Sequence, residues 1–337
     1  MFDVITFGSA TWDIFLKPKV FKVVKGKKFS TEKGVCFALG SKVDMEEIMF
    51  SSGGGGTNSA ATFKNQGFNV AFCGMIGDDV SGDEVIEDLE KRGINTDLVL
   101  KTKLKPTNHS IVISSSENER TILVYRGASE MAGKDDLPWE QLKAKWFYIA
   151  PLSGKLAQIF RDIVDFAKKN NIKVAVNLGN SQISLGVEKL KPILKDIDVI
   201  VLNQEEASLL TGIPYNRKDD IFKKIDDICP GIAIMTKGGM GAVISDGKDI
   251  YMAPALKVKV KDKTGAGDSF GSGFVSGLIQ SNGNIEYAIQ LAIANSSLNV
   301  SEWGAKTGIL KKGEEFKKVK VEKESCCAGE VCACQIK

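Results

Sequence analysis

The chain has 337 residues, 43% of them hydrophobic, enough for one large α/β domain or a domain with an appendage. Its 45 basic and 42 acidic residues leave a net charge of +3, a balance that argues against a dedicated nucleic-acid binder, which usually shows a concentrated basic face. No apolar run is long enough to span a bilayer, and the first residues carry neither a basic leader region nor a cleavage site. Cys36, Cys73 and Cys229 lie in apolar segments, as reduced core residues of a cytoplasmic protein do.

The run DVITFG (3–8) predicts a buried first strand. Residues 12–50 follow with repeated turns and β-rich pieces, a β-projection from the core. A glycine loop and helix (51–67), a strand (69–77) and an amphipathic helix (81–93) come next. Asn108–Ser114 and Arg120–Tyr125 read as a hairpin able to pair with the 12–50 segment. Strands at 146–150, 172–177, 197–202 and 231–236 alternate with helices at 155–169, 204–211 and 217–228. That alternation predicts a mostly parallel sheet covered on both faces. Val243–Ser245, Asp249–Met252 and Leu256–Val260 suggest an antiparallel edge, and helices at 266–281 and 284–300 close the core. Residues 311–337 are Lys/Glu-rich and then cysteine-rich (Cys326, Cys327, Cys332, Cys334), a composition that favours a disordered tail. The cysteine spacing matches no standard zinc pattern, although a soft-metal or redox clasp is the alternative.

The most informative stretch is KDKTGAGDSFGSGF (261–274). Thr264 reads as an N-cap, and Gly265, Ala266 and Gly267 let backbone approach a ligand at a helix N-terminus, where N–H groups and the dipole favour an anion. Asp268 is out of place beside an anion unless it takes a proton from an attacking hydroxyl, which points to phosphoryl transfer to an alcohol. The same glycines also spell a variant dinucleotide fingerprint, but that fingerprint follows the first buried strand, and here it comes late.

Other constellations are weaker alone. Gly53–Gly56 with Thr57 and Asn58 opens a helix; Gly54 and Gly55 permit close approach, and Asn58 both donates and accepts, which suits a sugar's hydroxyls. Asp13, near the end of strand one, can hold a polyol. Asn203 and Glu206 share a strand end; Glu206 can hold a hydrated magnesium, or the two form a helix cap. Thr236, Gly238 and Gly241 belong to another strand-end glycine loop, a candidate nucleotide rest. His109, the only histidine, lies in the hairpin strand Asn108–Ser114 and suits a structural contact better than catalysis.

Taken in order, these pieces resemble the ribokinase-like sugar kinases, the phosphofructokinase-B family, over roughly residues 2–310. DKTGAGDSFGSGF is similar to that family's C-terminal signature, GGGGTNSA to its N-terminal one, NQEE to its Asn-x-x-Glu motif and TKGGMG to its ATP-loop segment. The resemblance implies a three-layer α/β/α kinase domain over 1–310 with a small β-lid from 12–50 and 107–127. It implies ATP with magnesium as cofactors and a sugar, sugar derivative or nucleoside as acceptor. Asp268 is then the general base, and Gly265, Ala266 and Gly267 form the anion hole. Asp13, Gly54, Gly55 and Asn58 face the acceptor; Asn203, Glu206, Thr236, Gly238 and Gly241 serve the nucleotide and its metal. A potassium ion is implied at Asp262 and Thr264 with backbone from Asn299, Glu302 and Gly304, unless the charge of Lys263 takes its place. Gly55 and Ala150-Pro151-Leu152 depart from the residues that ribokinases proper use on ribose. A ligand-sensing protein on the same fold, or a dinucleotide-dependent oxidoreductase, are the alternatives; Asp268 argues against the first, and the lone Gly8 after strand one against the second. A homodimer through the lid is expected, with Val20, Phe21, Val23, Val24, Ile111, Ile113, Leu123 and Tyr125 as its apolar face. No nucleic-acid or membrane partner is expected.

Overall fold

A computed structural model describes residues 1–26, 32–114 and 120–325. Its frame is a ten-stranded sheet. Phe2–Phe7 lies between Val70–Gly77 and Ala144–Ile149, and both pairings are parallel. Val99–Thr102 continues the sheet beyond Val70–Gly77. On the other side come Lys173–Asn177, Val199–Asn203 and Ile232–Thr236, still parallel. Ala242–Ser245, Asp249–Ala253 and Glu322–Ser325 finish it antiparallel. The parallel strands are near-continuous apolar runs because helices cover both faces. Ile5 and Phe7 pack on one face with Phe160, Ile163, Leu190 and Phe222. Val4 packs on the other with Phe63, Val85, Phe274 and Ile289. These are the three expected layers.

Helices Ala266–Gln280 and Ile285–Asn299 sit unusually close because the first has glycines where they meet. A Cβ on Gly277 would stand 2.7 Å from Ala288 Cα, and one on Gly273 3.2 Å from Ala292 Cα. This backbone-to-backbone contact fixes the first helix, and with it the N-terminus that carries Asp268.

A second, four-stranded sheet stands over the C-terminal end of Phe2–Phe7. Its order is Met45–Gly53, Thr11–Pro18, Asn108–Ser114, Arg120–Tyr125. The expected lid is therefore present, and the hairpin does pair with the earlier segment. Residues facing one way run in rows across it: Ser51, Asp13, Ser110, Val124 and, next, Met49, Phe15, Val112, Ile122. The opposite face carries Phe50, Ile14, Ile111, Leu123 and Ile48, Leu16, Ile113. Phe50 and Ile48 are more than half exposed, as is Leu123.

Some expectations change. The helix expected at 155–169 is two, Gly154–Gln158 and Phe160–Lys169, parted at Ile159. Leu256–Val260 forms no strand. Its Val/Lys alternation has no core face to bury, and both Val258 and Val260 stay exposed. Glu322–Ser325 takes that place beside Asp249–Ala253, so the chain stays on the domain well past residue 310. Gln290 and Val319 exchange hydrogen bonds, and Lys312 N–H donates to Asn65 O at 2.8 Å. Disorder from 311 is thus corrected for residues 311–325. Charge hid this strand, because Lys323 stabilises it through Asp249 and the Tyr251 ring rather than through burial. The four tail cysteines lie outside the described residues. Val23 and Val24 lie in a separate two-stranded ribbon, Lys22–Lys25 with Lys33–Cys36, not in the lid sheet. Among the described residues no helix is long and apolar enough to cross a membrane.

Candidate active site

Helix Ala266–Gln280 begins after Gly265, whose φ of 78° makes it the cap in place of Thr264. Only glycine fits there: the conformation is left-handed, and a Cβ would press on Ala305. Thr264 instead turns back, donating its N–H at 2.9 Å and its hydroxyl at 2.7 Å to Asp262 Oδ1.

Asp268 sits in the first turn, and its Oδ2 accepts a hydrogen bond from Asn58 Nδ2 at 2.8 Å. Asn58 lies in the first turn of helix Gly55–Asn65, which starts after Gly54 at φ 98°. Two helix N-termini therefore converge on one carboxylate. A Cβ on Gly55 would stand 3.3 Å from Asp268 Oδ1, so this glycine keeps one face of the carboxylate open. Burial pushes the Asp268 carboxyl above its ordinary range. The Asn58 bond and the charge of Lys306 act the other way.

Asp13 lies across the cleft on the inward face of the lid, 5% exposed, with Ser110 Oγ donating to its Oδ1 at 2.5 Å. Gly53 is opposite, and a Cβ there would fall on the carboxylate. Burial raises this carboxyl too, opposed by the Ser110 bond and Lys306 and assisted by Asp262.

Lys306 was not singled out in the sequence, yet its charge acts on both carboxylates. It is 3% exposed, donates to Ser52 Oγ and lies 3.5 Å from Asp88 Oδ2. Burial pulls its ammonium down to about 8, with Asp88 and Asp13 resisting. Asp88 is itself raised by burial, but Lys306, Arg92 and Ser52 outweigh this and hold it below the ordinary range. Arg92 Nε reaches Asp88 Oδ1 at 3.0 Å. The only cue in the sequence was a lysine set in a short, glycine-flanked and otherwise uncharged stretch, GAKTGIL (304–310). Arg120 was missed as well. From the start of the lid's last strand it donates to Asp262 and Thr264, while Lys263 points into solvent.

The other half of the cleft is backbone-built. Asn203 pairs in register with Thr236 on adjacent strand ends. Asn203 and Glu206 form a reciprocal cap: Glu206 Oε2 accepts Asn203 N–H at 2.8 Å, and Asn203 Oδ1 accepts Glu206 N–H at 2.9 Å. Burial raises the Glu206 carboxyl against the pull of that bond. Gly238 at φ 55° and Gly241 at φ 95° turn the following loop, and Lys237 N–H closes it on Gly241 O at 2.7 Å. The structure thus gathers Asp13, Gly54, Gly55, Asn58 and Asp268 at one end and Asn203, Glu206, Thr236, Gly238 and Gly241 along the C-terminal strand ends. Among the described residues no cluster of His, Cys, Asp and Glu could hold a metal by itself.

The pfkB family carbohydrate kinase profile matches residues 31–312, most of the chain and all three glycine loops. The chain belongs to the pfkB family of carbohydrate kinases. It is 28% identical to a ribokinase of Lactococcus lactis over 288 residues, 83% of this kinase and 90% of that one. It is 26% identical to a deoxyribokinase of Salmonella typhi over 80% of this kinase and 87% of the relative. The Arabidopsis thaliana ribokinase solved with ribose and ATP shares the fold, with a TM-score of 0.74 over 92% of this kinase and 96% of that chain at 22% identity. A Methanocaldococcus jannaschii nucleoside kinase gives 0.70 over 91% and 95% at 21%. As a kinase of this family, the protein is an ATP-dependent phosphotransferase with an alcohol group as acceptor, a carbohydrate kinase.

Proposed function

We propose that the kinase moves the γ-phosphoryl group of ATP to a hydroxyl of a small sugar or sugar acid lying between Asp13 and Asp268. The observation that carries this is Asp268 itself: a carboxylate set at a helix N-terminus, anchored at one oxygen by Asn58 and left open on the other side by Gly55. Asn58 orients the carboxylate, and Asp268 accepts the hydroxyl proton as the oxygen attacks phosphorus. Backbone N–H groups at Gly265, Ala266 and Gly267 hold the charge that builds on the moving group. The Ala266 N–H, now turned to Lys263 O at 3.3 Å, is weakly engaged and is free to switch to a stronger acceptor. Asp13 holds the acceptor's other hydroxyls.

Thr236, Gly238 and Gly241 support the nucleotide. Magnesium, which keeps most of its waters, suits Glu206, whose buried charge gains from a nearby cation; it neutralises the phosphates when bound. Potassium does not fit Asp262 and Thr264, because a guanidinium already bonds both. Ile122 and Val124 are exposed on the lid's inward face beside Val112 and Ser110, which favours a nucleoside as the second acceptor class, its base on this ledge. The outward lid face of Phe50, Ile14, Ile111 and Leu123 supports a homodimer, with lid against lid. Reduced Cys73 and Cys229, both buried, suit a cytoplasmic setting. ATP consumption against sugars, sugar acids, sugar phosphates and nucleosides tests the reading. No turnover above the water reaction with any of them would overturn it.

A further inference from the structure

The loop that leads into the anion hole is built round a carboxylate with hardly any solvent. Asp262 has a side chain 1% exposed. Its Oδ1 accepts from Thr264 N–H and hydroxyl, and its Oδ2 accepts from Gly304 N–H at 3.2 Å. Nearby carbonyls are already engaged. Asn299 O takes Glu302 N–H at 3.1 Å, and Gly304 O takes the Asn299 amide at 3.3 Å and the Thr307 hydroxyl at 2.7 Å. A buried carboxylate needs a counter-charge, and leaving it alone is costly. The counter-charge is Arg120, whose Nη1 donates to both Asp262 Oδ1 and Thr264 Oγ1. Arg120 belongs to the lid, 142 residues away along the chain.

We propose that Arg120 is the permanent cation of this node and a positioning residue for catalysis. It neutralises Asp262, fixes Thr264 and hence the Gly265 turn that starts the helix, and ties the lid's last strand to the anion hole. The chain needs no dissolved monovalent ion to hold this loop, and seating the lid completes the hole in the same event. Removing the side chain would leave a guanidinium-sized space walled by Asp262 Oδ1 and Thr264 Oγ1, hard oxygen donors that a small monovalent ion can use.

The proposal rests on the kinase reading, so its test has an arm that does not need turnover. Wild type, Arg120→Ala and Arg120→Lys are compared in potassium, sodium, guanidinium and tetramethylammonium chlorides at equal ionic strength. Phosphoryl transfer to the best acceptor and the melting temperature are both measured. The wild type is expected to show the same rate and melting temperature in potassium as in tetramethylammonium. Arg120→Ala should lose about 10²-fold in kcat in tetramethylammonium, the cost of slight misplacement at a reacting centre. Potassium or guanidinium should restore much of that loss and raise the melting temperature of this variant alone. Arg120→Lys should fall between and respond weakly. Strong activation of the wild type by potassium overturns the proposal. So does an Arg120→Ala enzyme that equals wild type in every salt, or one whose loss and melting temperature ignore the salts. If Arg120→Ala does not fold, Arg120→Lys decides: a rate and melting temperature that match wild type in every salt refute the need for the guanidinium. If the wild type turns over no acceptor, the kinase reading falls, and the melting temperatures still judge Arg120.

Discussion

The two ends of the cleft are made of different material. At the end proposed for the nucleotide the chain supplies backbone: Gly238 and Gly241 at positive φ, and a cap in which Asn203 and Glu206 bond each other across three residues. At the acceptor end it supplies side chains brought together from far apart. Asn58 and Asp268 are 210 residues apart, and Ser52 and Lys306 are 254. That end also buries charges of both signs, which costs stability unless each has a partner. On the proposed reading the donor there is ATP, a ligand shared among ATP-dependent kinases, and turns suffice. An acceptor must be told from its neighbours, and this needs placed polar groups whose loss leaves something unpaired.

The largest break in that contrast is Asp268→Asn. It keeps size and the Asn58 contact but removes the base, so kcat should fall about 10²–10⁴-fold while nucleotide binding by calorimetry persists. Stability should not fall. A carboxyl raised by burial is costly when ionised at neutral pH, and the amide removes that cost. Unchanged kcat on the best acceptor would end the mechanism.

Asp13→Asn should come next and act on binding. One charged hydrogen-bond acceptor is worth about 1.5–3 kcal/mol, so the acceptor's KM should rise by roughly 10–100-fold with kcat within a few-fold. An unchanged KM for every acceptor would remove Asp13 from the site.

Lys306→Met sharpens the contrast through pH. The ammonium holds down both Asp13 and Asp268, so its loss should move the acid limb of the pH–kcat/KM profile to higher pH. Stability carries its own sign. The folded value of Lys306, about 8, lies below its ordinary 10.5, so the charged form costs the fold at low pH. Wild-type stability should therefore gain from this group between those values as pH rises, and Lys306→Met should lack that gain. Denaturant midpoints across this window check it; matching slopes for the two proteins would refute the assignment.

The smallest effect should come from the nucleotide end. Gly241→Ala sets a side chain at positive φ against the Ala253 carbonyl. It should raise the KM for ATP and cost more than about 1 kcal/mol of stability, leaving acceptor preference unchanged. A shift in acceptor preference would mean that the two ends are not separate.

The same contrast explains what could be read from the sequence. Parallel strands such as Val70–Gly77 and Val199–Asn203 are continuous apolar runs, and helix Gln204–Thr211 has its cap written beside it. Glycine loops are local signals, so both ends of the cleft were legible as motifs. Asp268 and Asn58 were each legible, but not the bond between them, because nothing local records a contact across 210 residues. Lys306 and Arg120 belong to no motif, and their roles exist only through partners that the fold delivers. Val99–Thr102 and Glu322–Ser325 escaped because short edge strands bury little and leave little pattern.

The lid's strands carry one further consequence. Along Thr11–Pro18, Asp13 and Phe15 look toward the cleft, while Ile14 and Leu16 look outward; on the neighbouring strand Ser110 looks inward and Ile111 outward. Chemistry and surface are thus interleaved residue by residue. A single-codon insertion or deletion in either strand would exchange the two sets, turning the carboxylate to the outside and isoleucine toward the acceptor. Point changes can drift freely on either face, but changes of length cannot, so length variation among descendants of this gene should collect in the turns between these strands and avoid the strands themselves.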